Sequence, residues 1–242
     1  FEISENQESF EMIQVRSDRN DVMSILSSKG LYQPWEKKIV KDRFYRPFAD
    51  IKILAIDRYE NQFVYLTDEA VFSNSWAGKF YIEHGLKNPT QFVLAHNFTT
   101  LVAAVGELVI VQDGKTTWNK SLNDFKPIEI IFDENEKRFL ILTKDALYEL
   151  QCPERELEKV YDGNNLTSLA LKDSKIFLGT TDGYLTLNGK NFTPSKIDQN
   201  LPYTNITVVK NIEGAIWFGS KKGVFKLREN GKYDYYASKR WL

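Results

Sequence analysis

The stretch GAIWFGSKKGVFKLRENGKYDYY, Gly214–Tyr236, reads as strand, turn, strand, turn, strand. An apolar run meets a polar turn at Ser220–Gly223, Val-Phe-Lys-Leu follows with alternating character, and Asn230-Gly231 turns the chain again before Tyr233. Apolar runs separated by short Gly- and polar-rich turns are the sequence signal of consecutive antiparallel strands.

The shape of that stretch recurs. SILSSKGLYQ (Ser24–Gln33), FVYLTDEAVFS (Phe63–Ser73), LVAAVGELVIV (Leu101–Val111), FLILTKDALYEL (Phe139–Leu150) and IFLGTTDGYLTL (Ile176–Leu187) each pair an apolar run with a turn and a second run. The residues after the turn are Gly30, Ala70, Glu107, Ala146, Gly183 and Gly223, at spacings of 40, 37, 39, 37 and 40. The third copy reads as one residue short, with Gly106-Glu107 forming a tight hairpin. A sustained period in this range marks a repeat architecture.

Further strands flank the pairs. Ile51–Asp57, Pro127–Asp133, Leu166–Lys172 and Ile206–Asn211 precede them; Gly78–Glu83, Lys115–Asn119, Glu156–Asp162 and Gly231–Tyr236 follow. Four short strands per repeat make the blade of a β-propeller. The expected fold is therefore an all-β propeller of about six four-stranded antiparallel blades. Their approximate bounds are 9–49, 50–89, 90–126, 127–163, 164–202 and 203–242, one domain over 1–242, with Phe1–Ser4 expected to pair near the last blade. The second strand of a blade is nearly all apolar because both its faces are covered, and the charged fourth strand discourages edge pairing. Trp217 and Phe218 are expected to pack blade on blade.

The segment EGAIWFGSKKGVFKL (Glu213–Leu227) is similar to the propeller repeat of the two-component-regulator type, whose form is Asp, two residues, Gly, then Leu-Trp-Phe-Gly-Thr, two residues and Gly-Leu. Gly214, Trp217, Phe218, Gly219, Ser220, Gly223 and Val224 stand at those positions; Gly179, Thr180 and Gly183 match in a second copy, and Gly30 and Leu31 in a third. The other three copies match by period and apolar pattern alone. The resemblance implies an extracytoplasmic sensor domain or a secreted, polysaccharide-related protein within a longer chain. The ending YYASKRWL (Tyr235–Leu242) fits a further blade or domain beyond Leu242.

Composition narrows the partners. With 32 Lys and Arg against 33 Asp and Glu, the net charge is −1, so there is no broad positive field for nucleic acid or a membrane surface. No apolar run has membrane-spanning length. The lone Cys152 excludes an internal disulfide framework and a cysteine-based zinc site. Sequons at Asn97, Asn119, Asn165, Asn191 and Asn205 are compatible with a secreted glycoprotein, and equally with loop chemistry carrying no glycan.

In a propeller, inter-blade loops and second-to-third-strand turns share one face, where ligands meet the protein. Of these loops, KDRFYRPFA (Lys41–Ala49) combines Arg43 and Arg46 with Phe44, Tyr45 and Phe48. Arginine grips a carboxylate bidentately while an aromatic ring stacks on a sugar, which suits a carboxylated glycan or an acidic peptide. A plainer reading packs Phe44 and Phe48 and leaves the arginines solvated. His84, with Lys87 nearby, is the candidate for proton transfer, the alternative being an ordinary surface histidine. His96 stands 12 residues away at the other end of a strand, so no shared metal site is expected. Asp68, Asp145 and Asp182 recur at equivalent turn positions and read as turn formers, as Asp57 and Asp133 read as strand ends. No nucleophile elbow, zinc-protease motif, P-loop or dinucleotide fingerprint occurs, and no cofactor or metal is implied.

These features favour a non-catalytic recognition or sensor propeller that binds a glycan or a protein, secreted or periplasmic, as the N-terminal part of a larger protein. Two other classes stay open. One is the propeller portion of a secreted polysaccharide lyase or glycosidase, with Arg43, Tyr45 and His84 near the substrate. The other is an intracellular, cytoplasmic protein–protein scaffold.

Overall fold

In the computed structural model every repeat folds into its own antiparallel sheet, and the six sheets are the blades of a six-bladed β-propeller. The structure describes residues 2–3, 11–17, 22–36, 38–42, 51–60, 62–75, 78–95, 98–196 and 201–236. The six residues after the turns named above are the first residues of the six third strands.

The chain forms two compact units, 1–125 and 126–242. In the first, blade one comprises β1 (Glu2–Ile3), β2 (Met12–Ser17), β3 (Met23–Ser27), β4 (Gly30–Trp35) and β5 (Lys38–Lys41). Blade two is β6 (Ala55–Tyr59), β7 (Gln62–Leu66), β8 (Ala70–Ser75) and β9 (Gly78–Glu83). Blade three is β10 (Pro89–Leu94), β11 (Thr100–Ala104), β12 (Glu107–Gln112) and β13 (Lys115–Ser121). The second unit holds blade four, β14 (Glu129–Asp133), β15 (Arg138–Leu142), β16 (Ala146–Gln151) and β17 (Leu157–Asp162). Blade five is β18 (Leu166–Lys172), β19 (Lys175–Thr180) and β20 (Gly183–Asn188); blade six is β21 (Ile206–Ile212), β22 (Ala215–Ser220), β23 (Gly223–Leu227) and β24 (Tyr233–Tyr236).

Three details differ from the sequence expectation. The N-terminal strand β1 pairs in parallel with β5 of blade one, Glu2 opposite Lys38, rather than with the last blade. Blade five has three named strands; residues 193–195 occupy the fourth place through a Leu187–Pro194 bridge and a Ser195 N–H bond to the Thr186 carbonyl at 2.8 Å. Proline has no N–H to donate, which keeps this segment from forming a full ladder. The third hairpin is not short: Ala104 opposes Glu107 across two turn residues, as Ser27 opposes Gly30 and Ser220 opposes Gly223.

The cores lie between consecutive blades. Leu26, Leu31, Ile56 and Phe72 join blades one and two, and Leu66, Val71, Phe92, Val102 and Val109 join two and three. In the second unit Leu140, Leu147, Leu169 and Leu178 join blades four and five. Phe177, Tyr184, Val209, Phe218 and Phe225 join five and six. All five residues of β11 and of β15 are buried, as second strands covered on both faces require.

Phe218 is fully buried, its ring 4.5 Å from Tyr184 and 5.0 Å from Phe225. Trp217 lies on the other face of the strand and is only half-buried. It stacks on Tyr236 at 5.7 Å, with Lys226 Nζ 5.7 Å from its ring, so of the pair Phe218 alone is core. Between Phe218 and Ser220, Gly219 is demanded by contact: a Cβ there would fall 2.5 Å from Val208 Cγ1.

Candidate functional site

The hairpin turns between second and third strands are built alike. Ser27, Thr67, Thr143, Thr180 and Ser220 each end or follow a second strand, and each hydroxyl donates to the carbonyl three residues on, at 3.0 to 3.3 Å. In return the hydroxyl oxygen accepts a turn N–H, as from Lys29, Ala70, Ala146, Asp182 and Lys222 at 3.0 to 3.1 Å. The hydroxyl thus satisfies turn backbone from inside. Blade three has Ala104 in this place and turns through Gly106 at φ 80° instead. The two tip residues are exposed in all five braced turns and differ in charge: Ser28-Lys29, Asp68-Glu69, Lys144-Asp145, Thr181-Asp182 and Lys221-Lys222.

His84 is neither a surface histidine nor open to a ligand. It is 2% exposed. Its Nδ1 accepts the Leu86 N–H at 3.1 Å, which leaves Nε2 as the protonated nitrogen, donating to the Thr67 carbonyl at 3.1 Å. Its backbone N–H reaches the Glu69 carbonyl at 3.2 Å. The ring therefore ties the β7–β8 turn to the loop leaving blade two. Burial holds its pKa below the ordinary 6.5, against the opposing pull of the Thr67 carbonyl and the Asp68 charge. Lys87, three residues on, is exposed.

The second unit carries a polar cluster that the motif reading missed. Glu129 on β14 accepts Ser168 Oγ at 2.7 Å and the Leu169 N–H at 2.9 Å through one oxygen, and pairs with Lys210 through the other. Ser168 Oγ in turn accepts the Val209 N–H at 3.0 Å. Asn211 Nδ2 donates to the Leu171 carbonyl at 2.9 Å. The first strands of blades four, five and six are thereby riveted side chain to backbone. In the first unit Gln14 Oε1 does the same for the Ile56 N–H at 2.8 Å, and Arg16 reaches Asp57 at 3.4 Å. The strand register explains the likeness: Gln14, Glu129 and Ser168 oppose Leu26, Leu142 and Gly179, the residue just before each braced turn hydroxyl. Beyond the rivets, a cleft of about 350 Å³ opens among Ile131, Asn135, Leu171, Lys210 and Asn211.

A second cluster is buried. Arg138, 3% exposed, binds Asp133 Oδ2 through Nε and Nη2 at 3.1 and 3.0 Å, and Glu149 through Nη1 at 2.6 Å. It also donates to the Gly189 carbonyl of blade five and lies 5.0 Å from the centre of the Phe192 ring. Asp133 Oδ1 caps the following turn through Asn135 N–H at 3.1 Å. Both oxygens of Asp133 accept internal donors, and Glu149 is held by the guanidinium. Among the described residues, no three His, Cys, Asp or Glu side chains are grouped to hold a metal ion.

Arg43, Tyr45 and Arg46, with the rest of their loop, lie outside the described residues, as do His96 and Asn97. Asn119, Asn165, Asn191 and Asn205 are all exposed. The structure brings His84 and Lys87 into one loop and joins neither to a second titratable cluster.

No family model matches the chain, and no curated protein sequence matches it. Solved structures do. The WD40 domain of Pan2 from Neurospora crassa aligns with a TM-score of 0.71 at 11% identity, over 95% of this chain and 79% of that one. PorZ, a bacterial surface component of the type-IX secretion system of Porphyromonas gingivalis, gives 0.63 at 11%, over 94% and 32%. The extracellular domain of BT4673 from B. thetaiotaomicron, named as a one-component system, gives 0.50 at 11%, over 98% and 47%. The chain thus spans less than half of the last two. At such identities the likeness establishes the β-propeller fold alone. No helix among the described residues is long and apolar enough to cross a membrane.

Proposed function

We propose that this propeller is a non-catalytic recognition or sensor domain, part of a larger extracytoplasmic protein, whose glycan or protein ligand is met by its turn-and-loop face. One observation carries the reading. Five hairpin turns share a hydroxyl-braced backbone, and their exposed tip pairs vary freely in charge. A turn held from within leaves its tips available for contact, which is how rigid scaffolds present binding residues. The extracytoplasmic setting draws support from the extracellular domain and the bacterial surface component that share the fold.

In this reading Arg43, Tyr45 and Arg46 supply the carboxylate-binding chemistry, with Lys87 a further cation. The test is calorimetric titration with a uronic-acid polymer and with an acidic peptide, while near-ultraviolet absorbance is followed. Saturable binding with no rise in absorbance is expected. Arg43→Ala combined with Arg46→Ala should abolish it and leave the melting temperature nearly unchanged. Binding that survives the double substitution removes this loop from the site, and a rising absorbance identifies a lyase instead.

A further inference from the structure

His84 joins a braced turn to an inter-blade loop, and it does so with both ring nitrogens. On one side stands Thr67, whose hydroxyl braces the β7–β8 turn; on the other stands Leu86, 4% exposed and part of the core between blades two and three. The Leu86 N–H points at Nδ1 from 3.1 Å, so the bond exists only while Nδ1 keeps its lone pair. Protonating the ring places two donors, Nδ1–H and the Leu86 N–H, face to face.

We propose that His84 is an acid-released latch: neutral, it pins loop 84–88 to the β7–β8 turn, and protonated, it lets that loop open. The device is independent of which ligand the face binds. The charged groups around it are Asp68 and Glu69 on the turn, Glu83 before it on β9, and Lys87 after it. Glu69 is engaged by the Tyr81 hydroxyl at 3.4 Å. Asp68 favours the charged ring, and burial outweighs it.

The sign follows from that balance. Folding holds the ring's affinity for protons below that of the open loop, whose histidine titrates near 6.5. The latch is therefore complete above that pH and is lost as pH falls below it. Within the window the open state carries one extra proton, so its population rises about tenfold per pH unit.

Two measurements on the whole chain test this. There are only two histidines, so the imidazole nitrogen spectrum is readily assigned. His84 should show the Nε2–H tautomer at pH 7.5. Amide exchange, corrected for its intrinsic pH dependence, should then accelerate at Leu86 and at 67–70 between pH 6.5 and 5. Amides of β11 should hold. His84→Asn keeps an acceptor near the Nδ1 position and cannot titrate, so its exchange profile should be flat over the same range. Flat exchange in the unsubstituted protein overturns the proposal, as does an Nδ1–H tautomer. An acid response that persists in His84→Asn assigns the effect to Asp68 or Glu69 and overturns it too.

Discussion

Arg138 is a residue whose loss the structure should tolerate poorly. Two carboxylates, a carbonyl of the next blade and an aromatic ring converge on one guanidinium, and all three charged groups are withdrawn from water. Removing the cation leaves Asp133 and Glu149 buried side by side with nothing between them. Arg138→Ala should cost about 3–5 kcal/mol, the usual penalty for stranding a buried charge. Replacing the triad together by apolar residues should cost far less, because burying an ion pair gains little over burying hydrocarbon. Chemical denaturation of the two variants checks this, and equal losses would contradict it. Phe218 and Trp217, adjacent in sequence, offer a second residue-scale contrast. Phe218→Ala should cost about 3–5 kcal/mol, as for a closed core aromatic. Trp217→Ala removes one exposed stacking contact and should cost about 1 kcal/mol. The sequence pattern made both look like core. Alternation puts them on opposite faces of β22, and only the packed structure tells which face a neighbouring side chain covers.

At the scale of the strand, two devices repeat with the blade. The turn hydroxyl satisfies backbone groups that the tips would otherwise have to serve. Thr180→Val keeps the shape and removes the hydroxyl, and should cost about 0.5–1.5 kcal/mol. The same change cannot be made in blade three, where Ala104 already lacks the group and Gly106 carries the turn. The second device is the rivet between first strands. Ser168→Ala removes a donor to Glu129 and an acceptor for the Val209 N–H in one step, and should cost about 1–3 kcal/mol. A melting temperature unmoved by Ser168→Ala would show that the first strands are held by apolar packing alone.

The turns were legible in the sequence because their signal is local: four consecutive residues with a small one at the end. The rivets were not, because partners lie 39 to 42 residues apart, as from Ser168 to Glu129 and from Gln14 to Ile56. That separation is one repeat, so aligned copies place the partners at neighbouring strands. The chemistry still varies from Gln to Glu to Ser, and a repeat read for apolar pattern passes over it. His84 was misjudged for a related reason. A histidine in a loop reads as solvated, and its burial depends on Thr67, which no local pattern connects to it.

Across the whole molecule, stability should follow pH as a plateau with two shoulders, each led by one side chain. The acid shoulder belongs to His84 and begins near pH 6.5, by the sign worked out above. The alkaline shoulder belongs chiefly to Tyr65 on β7. Burial raises its pKa above 10, and the Asp42 charge adds to that. A raised folded pKa contributes stability that is fully present below the unfolded value near 10. That stability is lost as pH rises, because the unfolded chain gives up the phenolic proton first. Tyr161 is raised by burial in the same direction, as are Tyr81, with Glu69 adding to it, and the Cys152 thiol, and these remain as a background. Melting temperatures measured from pH 5 to 11 should stay level between about 7 and 8.5 and fall on both sides, most steeply above about 10. Tyr65→Phe removes the ionisable hydroxyl and keeps the ring that packs 5.4 Å from Phe72, so it should make the alkaline fall shallower and leave the acid side as it was. His84→Asn should do the reverse. The two curves cross-check each other: a variant that shifts both shoulders together has lowered overall stability and says nothing about titration, whereas each shoulder yielding to its own substitution ties the pH range of the fold to these two buried groups.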